Sequence, residues 1–264
     1  MPVDRLPSRE YITRYEKSTF ENPNCPAPHG NIAARKNTMT RVVQIGDRAV
    51  PVWPEGQSFD TLDGVLHSTR FTDIDLYHPR LKQVILDRVE KRLDTKRHGR
   101  SACGTKVHHP ERWGCQEATL LHERVLEFFR RAIKSSNAVA DHAWANVYRN
   151  GDYCMSHSHI RATASFVYFL DSGDVDPADP ESGQFAIRDP RFPRCCPLGD
   201  GCVTNSILCD TTPGSLVMFP GEVVHGVNPY HGVRPRITMS WNVNEQVIPG
   251  SPFIPGTGIE VVAD

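Results

Sequence analysis

The run Arg236-Ile237-Thr238-Met239-Ser240-Trp241-Asn242-Val243 alternates polar and apolar side chains without interruption. Successive side chains of a strand point to opposite faces, so this period of two predicts a β-strand with one face against a core. Shorter runs rich in aromatic and β-branched residues predict further strands over residues 143–149, 163–170, 183–188 and 214–219. From about residue 137 onward, the chain is therefore predicted to be a series of strands.

Two helices are predicted before these strands. Pro79 suits a first helical position. An apolar stripe at helical spacing follows it, formed by Leu81, Ile85, Val89 and Leu93. A second helix is predicted over residues 116–135, where apolar residues recur opposite charged ones. Helices followed by many strands indicate an α+β fold built on a sandwich or an open barrel, with the helices packed on a sheet.

The composition excludes several classes of partner. A net charge of −1 gives no electrostatic basis for binding nucleic acid, and no apolar run approaches the roughly 20 residues that span a bilayer. The start of the sequence lacks a basic region followed by an apolar one, so a cytoplasmic location is expected, with the cysteines as thiols. Four cysteines crowd together without the paired spacing of common zinc sites, and free thiols are predicted for Cys195, Cys196, Cys202 and Cys209.

The segment His157-Ser158-His159 is the first candidate for chemistry. Imidazoles at i and i+2 point to the same side of an extended segment. A third imidazole from a distant strand, His225, could then complete one face of a metal's coordination sphere. Imidazole suits iron, zinc, copper and nickel, so the residues by themselves do not name the metal.

Several ordered motifs between residues 144 and 243 resemble the 2-oxoglutarate/Fe(II) oxygenases. The motifs occur in the same order as in that family. They are a Gly-Asp before His-x-His, a following aromatic strand, a Ser-Gly, an Asp-Pro-Arg and a final Pro-Gly before the distal histidine. They lie at Gly151-Asp152, Ser165-Phe166-Val167-Tyr168-Phe169, Ser182-Gly183, Asp189-Pro190-Arg191 and Pro213-Gly214. Phe166 replaces the usual glycine of the strand, which predicts a narrower pocket nearby.

The resemblance implies a double-stranded β-helix, or jelly roll, with Fe(II) at its mouth and 2-oxoglutarate and O₂ as co-substrates. It implies His157 and His225 as iron ligands, with His159 at the position of the usual carboxylate. It also implies that Arg236 grips the far carboxylate of 2-oxoglutarate, and arginine's fixed fork of donors suits that task. Thr238 lies on the same face as Arg236 and could supply another donor.

Other pocket residues are predicted from their strands. Asn146 and Tyr148 share a face of the strand over residues 143–149 and are predicted to line the cofactor pocket. Aromatic residues predicted for the substrate pocket are Phe166, Tyr168 and Trp241, although Tyr168 and Trp241 fit a core position equally well.

A single domain over residues 1–264 follows from the length and the resemblance. The loop 101–114 is predicted to separate the two helices. The domain is predicted to consist of an irregular N-terminal arm, a mainly helical support, a jelly-roll core with the metal site, and a C-terminal tail, over residues 1–70, 71–140, 141–246 and 247–264. Within the arm, alternation over residues 40–52 predicts one or two short strands.

Three functions stay open at this stage because of His159. If iron is bound by two or three histidines together with 2-oxoglutarate, the protein is an oxygenase that oxidises a small molecule. That small molecule could be a natural product. If a three-histidine centre binds its substrate directly, 2-oxoglutarate is not needed. The third alternative is a non-catalytic jelly roll that binds a metal. Asp152 and Asp171 are weaker candidates for a missing carboxylate ligand, and the oligomeric state is left open, a homodimer included.

Overall fold

The computed structural model describes residues 41–62, 65–97, 104–188 and 206–248. The chain divides into two units, Met1–Met39 and Thr40–Asp264, and every described residue lies in the second. Several predictions fall outside the described residues: the first 40 residues, the Asp189-Pro190-Arg191 motif, Cys195, Cys196, Cys202 and most of the C-terminal tail.

Two helices, α1 (His78–Glu90) and α2 (Gln116–Ile133), form where the apolar stripes predict them. Pro79 lies in the first turn of α1, where its missing N–H costs nothing. α1 ends before Leu93, which is 47% exposed, so the predicted stripe is one residue too long. None of the described helices combines the length and apolarity needed to cross a bilayer.

The described residues contain fourteen strands, all paired antiparallel. In chain order they are β1 (Val42–Ile45), β2 (Arg48–Pro51), β3 (Asp60–Leu62), β4 (Leu66–Arg70), β5 (Thr95–Arg97), β6 (Thr105–His108), β7 (Val139–Tyr148), β8 (Cys154–His157), β9 (Ala164–Asp171), β10 (Phe185–Arg188), β11 (Ser206–Leu208), β12 (Ser215–Pro220), β13 (Val224–Val227) and β14 (Arg236–Asn244). All five strands predicted after residue 137 are present, and β8, β11 and β13 were not predicted because they are short and irregular in pattern.

Two sheets form the jelly roll. The larger has the order β3-β4-β12-β9-β14-β7-β6-β5 and the smaller has the order β11-β10-β13-β8. From β7 onward the chain passes repeatedly between the two sheets, so that β7, β9, β12 and β14 lie side by side opposite β8, β10 and β13. This alternation is the double-stranded β-helix, and the predicted α+β fold class is confirmed.

Two cores lie on the two faces of the larger sheet. One is formed with the helices and includes Leu121, Phe128, Met239 and Trp241, all at most 1% exposed. The other contains Val167, Phe169, Phe185, Phe219 and Val227, contributed by both sheets. The alternation of β9 and β14 sends neighbouring residues to opposite cores.

The first half of the chain contains more strands than the sequence predicts. The short strands expected over residues 40–52 are present as β1 and β2. β3 and β4 were not predicted in the arm, and β4 is an inner strand because it pairs with both β3 and β12. The predicted loop 101–114 contains β6, which pairs with β7 and extends the larger sheet. These short strands carry little alternation of their own, and pairing with a longer neighbour satisfies their backbone groups instead.

Candidate metal centre

Three histidines meet where β8 and β13 pair. His157 is the last residue of β8 and lies directly opposite His225 of β13. His159 follows β8 by two residues, and its backbone N–H donates to the Gly221 carbonyl over 2.6 Å. One nitrogen of each ring lies within 4.8 Å of one nitrogen of each other ring. The structure thus brings together the three histidines that the sequence predicts as a group.

Gly221 is needed for this convergence. A Cβ added at this residue would lie 2.1 Å from the Ala162 carbonyl oxygen and 2.5 Å from that of His159. Both contacts are far shorter than van der Waals distance and involve backbone atoms, which cannot move aside cheaply. The turn between β12 and β13 can therefore approach the His159 segment closely only with glycine at this position.

Two of the rings have a fixed tautomer. His157 Nδ1 lies 2.8 Å from the Met155 carbonyl oxygen, and His225 Nδ1 lies 3.0 Å from that of Val223. A carbonyl oxygen can only accept, so each Nδ1 carries the proton and donates. The lone pair is then on Nε2 in both rings, which is the arrangement of a metal-binding histidine supported by a backbone carbonyl.

Burial keeps the three rings neutral. It lowers the pKa of His159 to about 3 and the pKa of His225 to about 4, and repulsion between the rings adds to the effect. The pKa of His157 is also lowered, chiefly by burial. Neutral imidazoles present lone pairs rather than protons at neutral pH, so the donor set fits a divalent metal ion.

The three histidines line one cavity. Among the described residues that line it, the charged side chains are Lys106 and Arg236, and none is a carboxylate. The buried guanidinium of Arg236 makes this cavity favourable for anions. The other lining residues come from both sheets: Trp144, Asn146, Tyr148, Cys154, Ser165, Phe166, Val167, Phe185, Phe219, Gly226, Val227, Thr238, Ser240 and Asn242.

Arg236 supplies a buried charge without a counter-charge. It is 2% exposed, and neither of its terminal guanidinium nitrogens has a hydrogen-bond partner among the described residues. The guanidinium lies 5.2 Å from the ring centre of Tyr148 and 5.8 Å from that of Phe169. Burial lowers the pKa of Arg236, and unpaired buried charges are costly. Two parallel donors of this kind suit a carboxylate.

Gly183 makes room for this side chain. A Cβ there would lie 3.0 Å from Cδ of Arg236 and 3.0 Å from the ring of Tyr230. Gly183 also has a φ of +64°, a conformation that other residues adopt at a cost.

The other residues predicted for the cofactor line the same cavity. Thr238 follows Arg236 on the same face of β14, and Tyr148 lies opposite Arg236 on β7. Asn146 donates towards the hydroxyls of Thr238 and Ser240 over 3.4 and 3.3 Å. These weak contacts form a polar wall beside the guanidinium.

Two of the three aromatic residues predicted for the substrate pocket do not line it. Tyr168 and Trp241 belong to the core shared with the helices, and each is fully buried there. Phe166 contributes to the cavity wall, but its ring packs against Phe128 and Phe129 of α2. Alternation is the physical reason, because residues 166 and 168 of β9 and 241 of β14 face the helices, whereas their neighbours face the cavity.

The weaker candidates for a carboxylate ligand have other partners. Asp152 is 2% exposed and accepts from Arg97 over 2.6 Å and from the Arg149 N–H over 2.8 Å. Asp171 forms an ion pair with Lys82. Neither belongs to the group that could hold a metal. Cys209, the described member of the cysteine cluster, is buried, and burial raises its pKa to about 12, as expected of an inert thiol.

Sequence reasoning missed several cavity residues. Asn242 and Ser240 could have been found, because the alternation that places Thr238 beside Arg236 places them on the same face. Lys106 had no such signal, since it lies in the segment predicted to be a loop. Its Nζ lies 4.9 Å from the ring centre of Trp144, which in turn lies 5.7 Å from the ring of His159.

Comparisons with known proteins agree with this architecture. The fold and the site define the class of protein, which is a double-stranded β-helix with a histidine-rich centre. Residues 142–242 match the family described as "Putative 2OG-Fe(II) oxygenase". Residues 142–242, which include the three histidines and Arg236, are therefore similar to the 2OG-Fe(II) oxygenases, a family of oxidoreductases that use Fe(II), 2-oxoglutarate and O₂. No curated protein sequence gives a significant match.

Solved structures share the fold at low sequence identity. The non-heme alpha-ketoglutarate-dependent epimerase SnoN from nogalamycin biosynthesis is 14% identical, with a TM-score of 0.53, over 75% of this chain and 88% of SnoN. A second structure of SnoN, in complex with Fe³⁺, alpha-ketoglutarate and nogalamycin RO, is 15% identical, with a TM-score of 0.50, over 75% and 89%. A prolyl-4-hydroxylase from Pseudomonas putida is 19% identical over 73% of this chain and 94% of its own, but its TM-score of 0.47 is too low to support an argument.

Proposed function

We propose that this protein is an Fe(II)- and O₂-dependent oxygenase that uses 2-oxoglutarate to oxidise a small molecule. The main observation in support concerns Arg236, which lines the same cavity as the three histidines. Its two terminal nitrogens are buried and have no hydrogen-bond partner among the described residues. A buried unpaired guanidinium is unfavourable unless an anion joins it. The far carboxylate of 2-oxoglutarate supplies that anion.

His157, His159 and His225 are proposed as the metal ligands, through nitrogens that already lie within 4.8 Å of one another. Iron held by these residues would supply O₂ activation, with 2-oxoglutarate as the co-substrate that is converted to succinate and CO₂. The protein's own contribution is to hold the keto acid in one orientation. Arg236 would bind the far carboxylate, and Thr238, which lines the same cavity, could donate a further hydrogen bond through its hydroxyl.

The replacement of a carboxylate by His159 changes the charge of the site. Three neutral imidazoles leave a divalent ion one unit more positive than two histidines and a carboxylate would. Together with the buried guanidinium of Arg236, this charge favours dianionic 2-oxoglutarate. The hydrophobic part of the wall, from Phe185, Phe219 and Val227, excludes water from the same space.

An anaerobic titration tests this proposal directly. Fe(II) is added to metal-free protein, followed by 2-oxoglutarate, and the visible spectrum is recorded for the charge-transfer band of a chelated keto acid. Succinate is then measured after O₂ is admitted. We expect both the band and succinate in wild type, and neither in Arg236→Met at the same keto-acid concentration. A wild-type protein with stoichiometric iron but neither signal would contradict the proposal.

A second candidate function follows from the three-histidine donor set. Such a centre with no carboxylate could bind an anionic substrate directly, without 2-oxoglutarate. Consumption of O₂ by the Fe(II) protein in the absence of any keto acid, with no succinate formed, would favour this alternative. A protein that binds metal but consumes no O₂ under either condition would be a non-catalytic jelly roll.

The proposal includes the remaining predictions from sequence. We propose a small-molecule substrate, which could be a natural product. We propose neither nucleic acid nor a membrane as a partner. We also propose a cytoplasmic location and a single oxygenase domain over residues 1–264, and we leave the oligomeric state open, a homodimer included. Separation by size coupled to light scattering distinguishes monomer from dimer.

A further inference from the structure

The three histidines differ in what holds their Nδ1 atoms. In His157 and His225, Nδ1 donates to the backbone carbonyl two residues earlier, so the lone pair on Nε2 is fixed. His159 has no such carbonyl partner among the described residues. Its Nδ1 lies 3.4 Å from the side-chain Nδ2 of Asn242. The third ring is therefore held by an amide, which has a donor end and an acceptor end.

Asn242 is itself held by a cross-strand neighbour. Ser165 of β9 pairs directly with Asn242 of β14, and its hydroxyl donates to Asn242 Oδ1 over 3.1 Å. A hydroxyl can donate or accept equally well. Rotation of the amide by half a turn would therefore keep a hydrogen bond to Ser165, with Nδ2 donating to the hydroxyl instead. Both orientations of Asn242 are satisfied on that side.

The two orientations have opposite consequences for His159. With Nδ2 facing the ring, the amide donates, His159 Nδ1 accepts, and Nε2 carries the proton. A protonated Nε2 cannot ligate a metal. With Oδ1 facing the ring, Nδ1 carries the proton and donates, and Nε2 has the lone pair. The net protonation of the ring is the same in both, so the change is one of tautomer and not of charge.

We propose that Asn242 is a positioning residue that decides, through the orientation of its amide, whether His159 ligates the metal. In the metal-free protein the amide donates to His159, and in the metal-bound protein it accepts from it. This inference rests on the metal site proposed above. It also gives β14 two functions on one face, because Arg236 and Asn242 both line the cavity from this strand.

Nitrogen chemical shifts test the inference without an activity measurement. Protein labelled with ¹⁵N-histidine is studied by long-range ¹H–¹⁵N correlation at pH 8, first metal-free and then with Zn(II), a diamagnetic probe. In metal-free wild type we expect His157 and His225 as Nδ1–H tautomers and His159 as the Nε2–H tautomer. Zn(II) should convert His159 to Nδ1–H with a metal-bound Nε2.

Two variants separate the two ends of the amide. Asn242→Asp has acceptors only, so His159 should already be the Nδ1–H tautomer without metal, and Zn(II) should bind at least as tightly as in wild type. Asn242→Leu has a similar size and neither donor nor acceptor, and should weaken Zn(II) binding about 10- to 100-fold, the usual cost of losing a residue that supports a ligand. Asn242→Asp keeps the test decisive if Asn242→Leu does not fold.

Asn244→Asp is the matched control. Asn244 lies two residues further along β14, and its Oδ1 accepts from the N–H of Thr163 over 2.6 Å and from the Thr163 hydroxyl over 3.0 Å. The substitution adds the same charge and keeps the oxygen that accepts from Thr163. Asn244 makes no hydrogen bond to a histidine among the described residues. We expect this control to leave the His159 tautomer and the Zn(II) affinity as in wild type.

The outcomes distinguish this inference from the proposed function. An unchanged His159 tautomer in metal-free Asn242→Asp, or a wild-type Zn(II) affinity in Asn242→Leu, would overturn the inference while leaving the metal site intact. Failure of wild type to bind Zn(II) or Fe(II) would overturn the proposed function. The metal-free spectra decide the role of Asn242 in either case.

Discussion

The two faces of β14 and its neighbour β9 carry opposite kinds of side chain. Towards the helices, β14 presents Ile237, Met239 and Trp241, each at most 1% exposed in an apolar core. Towards the smaller sheet it presents Arg236 and Asn242, which line the cavity. Both faces are buried, so burial does not distinguish them. What differs is charge: the helix-facing side chains are uncharged, whereas Arg236 is a buried cation.

The difference separates stability from function within one strand. The helix-facing residues are apolar and stabilise the fold by leaving water. On the cavity face, neither terminal nitrogen of the Arg236 guanidinium has a hydrogen-bond partner among the described residues, so an anionic ligand would stabilise this buried charge. Substitutions on one face should therefore change the free energy of unfolding, and substitutions on the other should change ligand affinity.

The largest effect is expected for the histidines. His157→Ala and His225→Ala should each abolish stoichiometric Fe(II) binding, because the remaining ligands cannot hold a labile divalent ion, while the thermal transition of the metal-free protein changes little. Iron per chain after anaerobic loading and desalting measures this. His231→Ala is the matched control, since His231 is exposed and pairs with Asp179 over 2.7 Å. Near-stoichiometric iron in either cavity variant would exclude these residues as ligands.

Trp241→Ala tests the helix-facing side. We expect the free energy of unfolding to fall by about 3–5 kcal/mol, the usual cost of removing a large buried aromatic side chain. Urea denaturation of the metal-free protein measures it, and Val233→Ala, at a position 93% exposed, serves as the control. If Trp241→Ala were as stable as wild type but impaired in binding, the indole would belong to the pocket after all.

Arg236→Met should weaken 2-oxoglutarate binding and spare the iron. Loss of a charge-assisted contact costs about 1.5–3 kcal/mol, or about 10- to 150-fold in Kd. The anaerobic charge-transfer titration measures Kd, and Arg234→Met is the control, because Arg234 is exposed and pairs with Asp174 over 2.7 Å. Equal Kd values in wild type and Arg236→Met would assign the guanidinium to another ligand.

The helix-facing side also predicts a pH dependence. His78 contacts the Tyr168 hydroxyl over 2.6 Å, and burial lowers the pKa of His78 to about 4 from 6.5. The unfolded chain then binds more protons than the folded one, so stability from this group is present above pH 6.5 and is lost as the pH falls towards 4. Between pH 7 and pH 5 the loss is about 2 kcal/mol.

Urea denaturation at the two pH values checks this prediction against His78→Gln, which keeps a side-chain amide near Tyr168 but does not titrate. The variant should lose about 2 kcal/mol less than wild type over the same interval. An identical pH dependence in both proteins would show that His78 does not contribute it.

Thr238→Val has the smallest expected effect. The change keeps the shape of the side chain and removes one hydroxyl donor from the cavity face, where Thr238 is 2% exposed. One neutral hydrogen bond is worth about 0.5–1.5 kcal/mol, so the Kd for 2-oxoglutarate should rise about 2- to 12-fold with Fe(II) affinity unchanged. An unchanged Kd would show that the Thr238 hydroxyl does not contact 2-oxoglutarate and serves only as the hydrogen-bond partner of Asn146.

The sequence by itself determined the alternation of β14, the two helices and the identity of the three histidines. These are local properties: a period of two fixes which residues share a face, a period of 3.6 fixes a helical stripe, and only a few residue types donate to a metal. The ordered motifs indicated the same family that matches residues 142–242, since their spacing follows the strands of the jelly roll. The same alternation, applied consistently, would have moved Tyr168 and Trp241 from the pocket to the core.

Only the tertiary structure decided the rest, because it depends on contacts between residues far apart in the chain. β4 and β6 have no strong pattern, and they are strands because β12 and β7 supply their hydrogen-bond partners. The terminal nitrogens of Arg236 lack a hydrogen-bond partner among the described residues because no neighbouring strand places an acceptor within reach. Asn242 lies 83 residues from His159 in sequence, and only the closure of two sheets places its amide beside that ring.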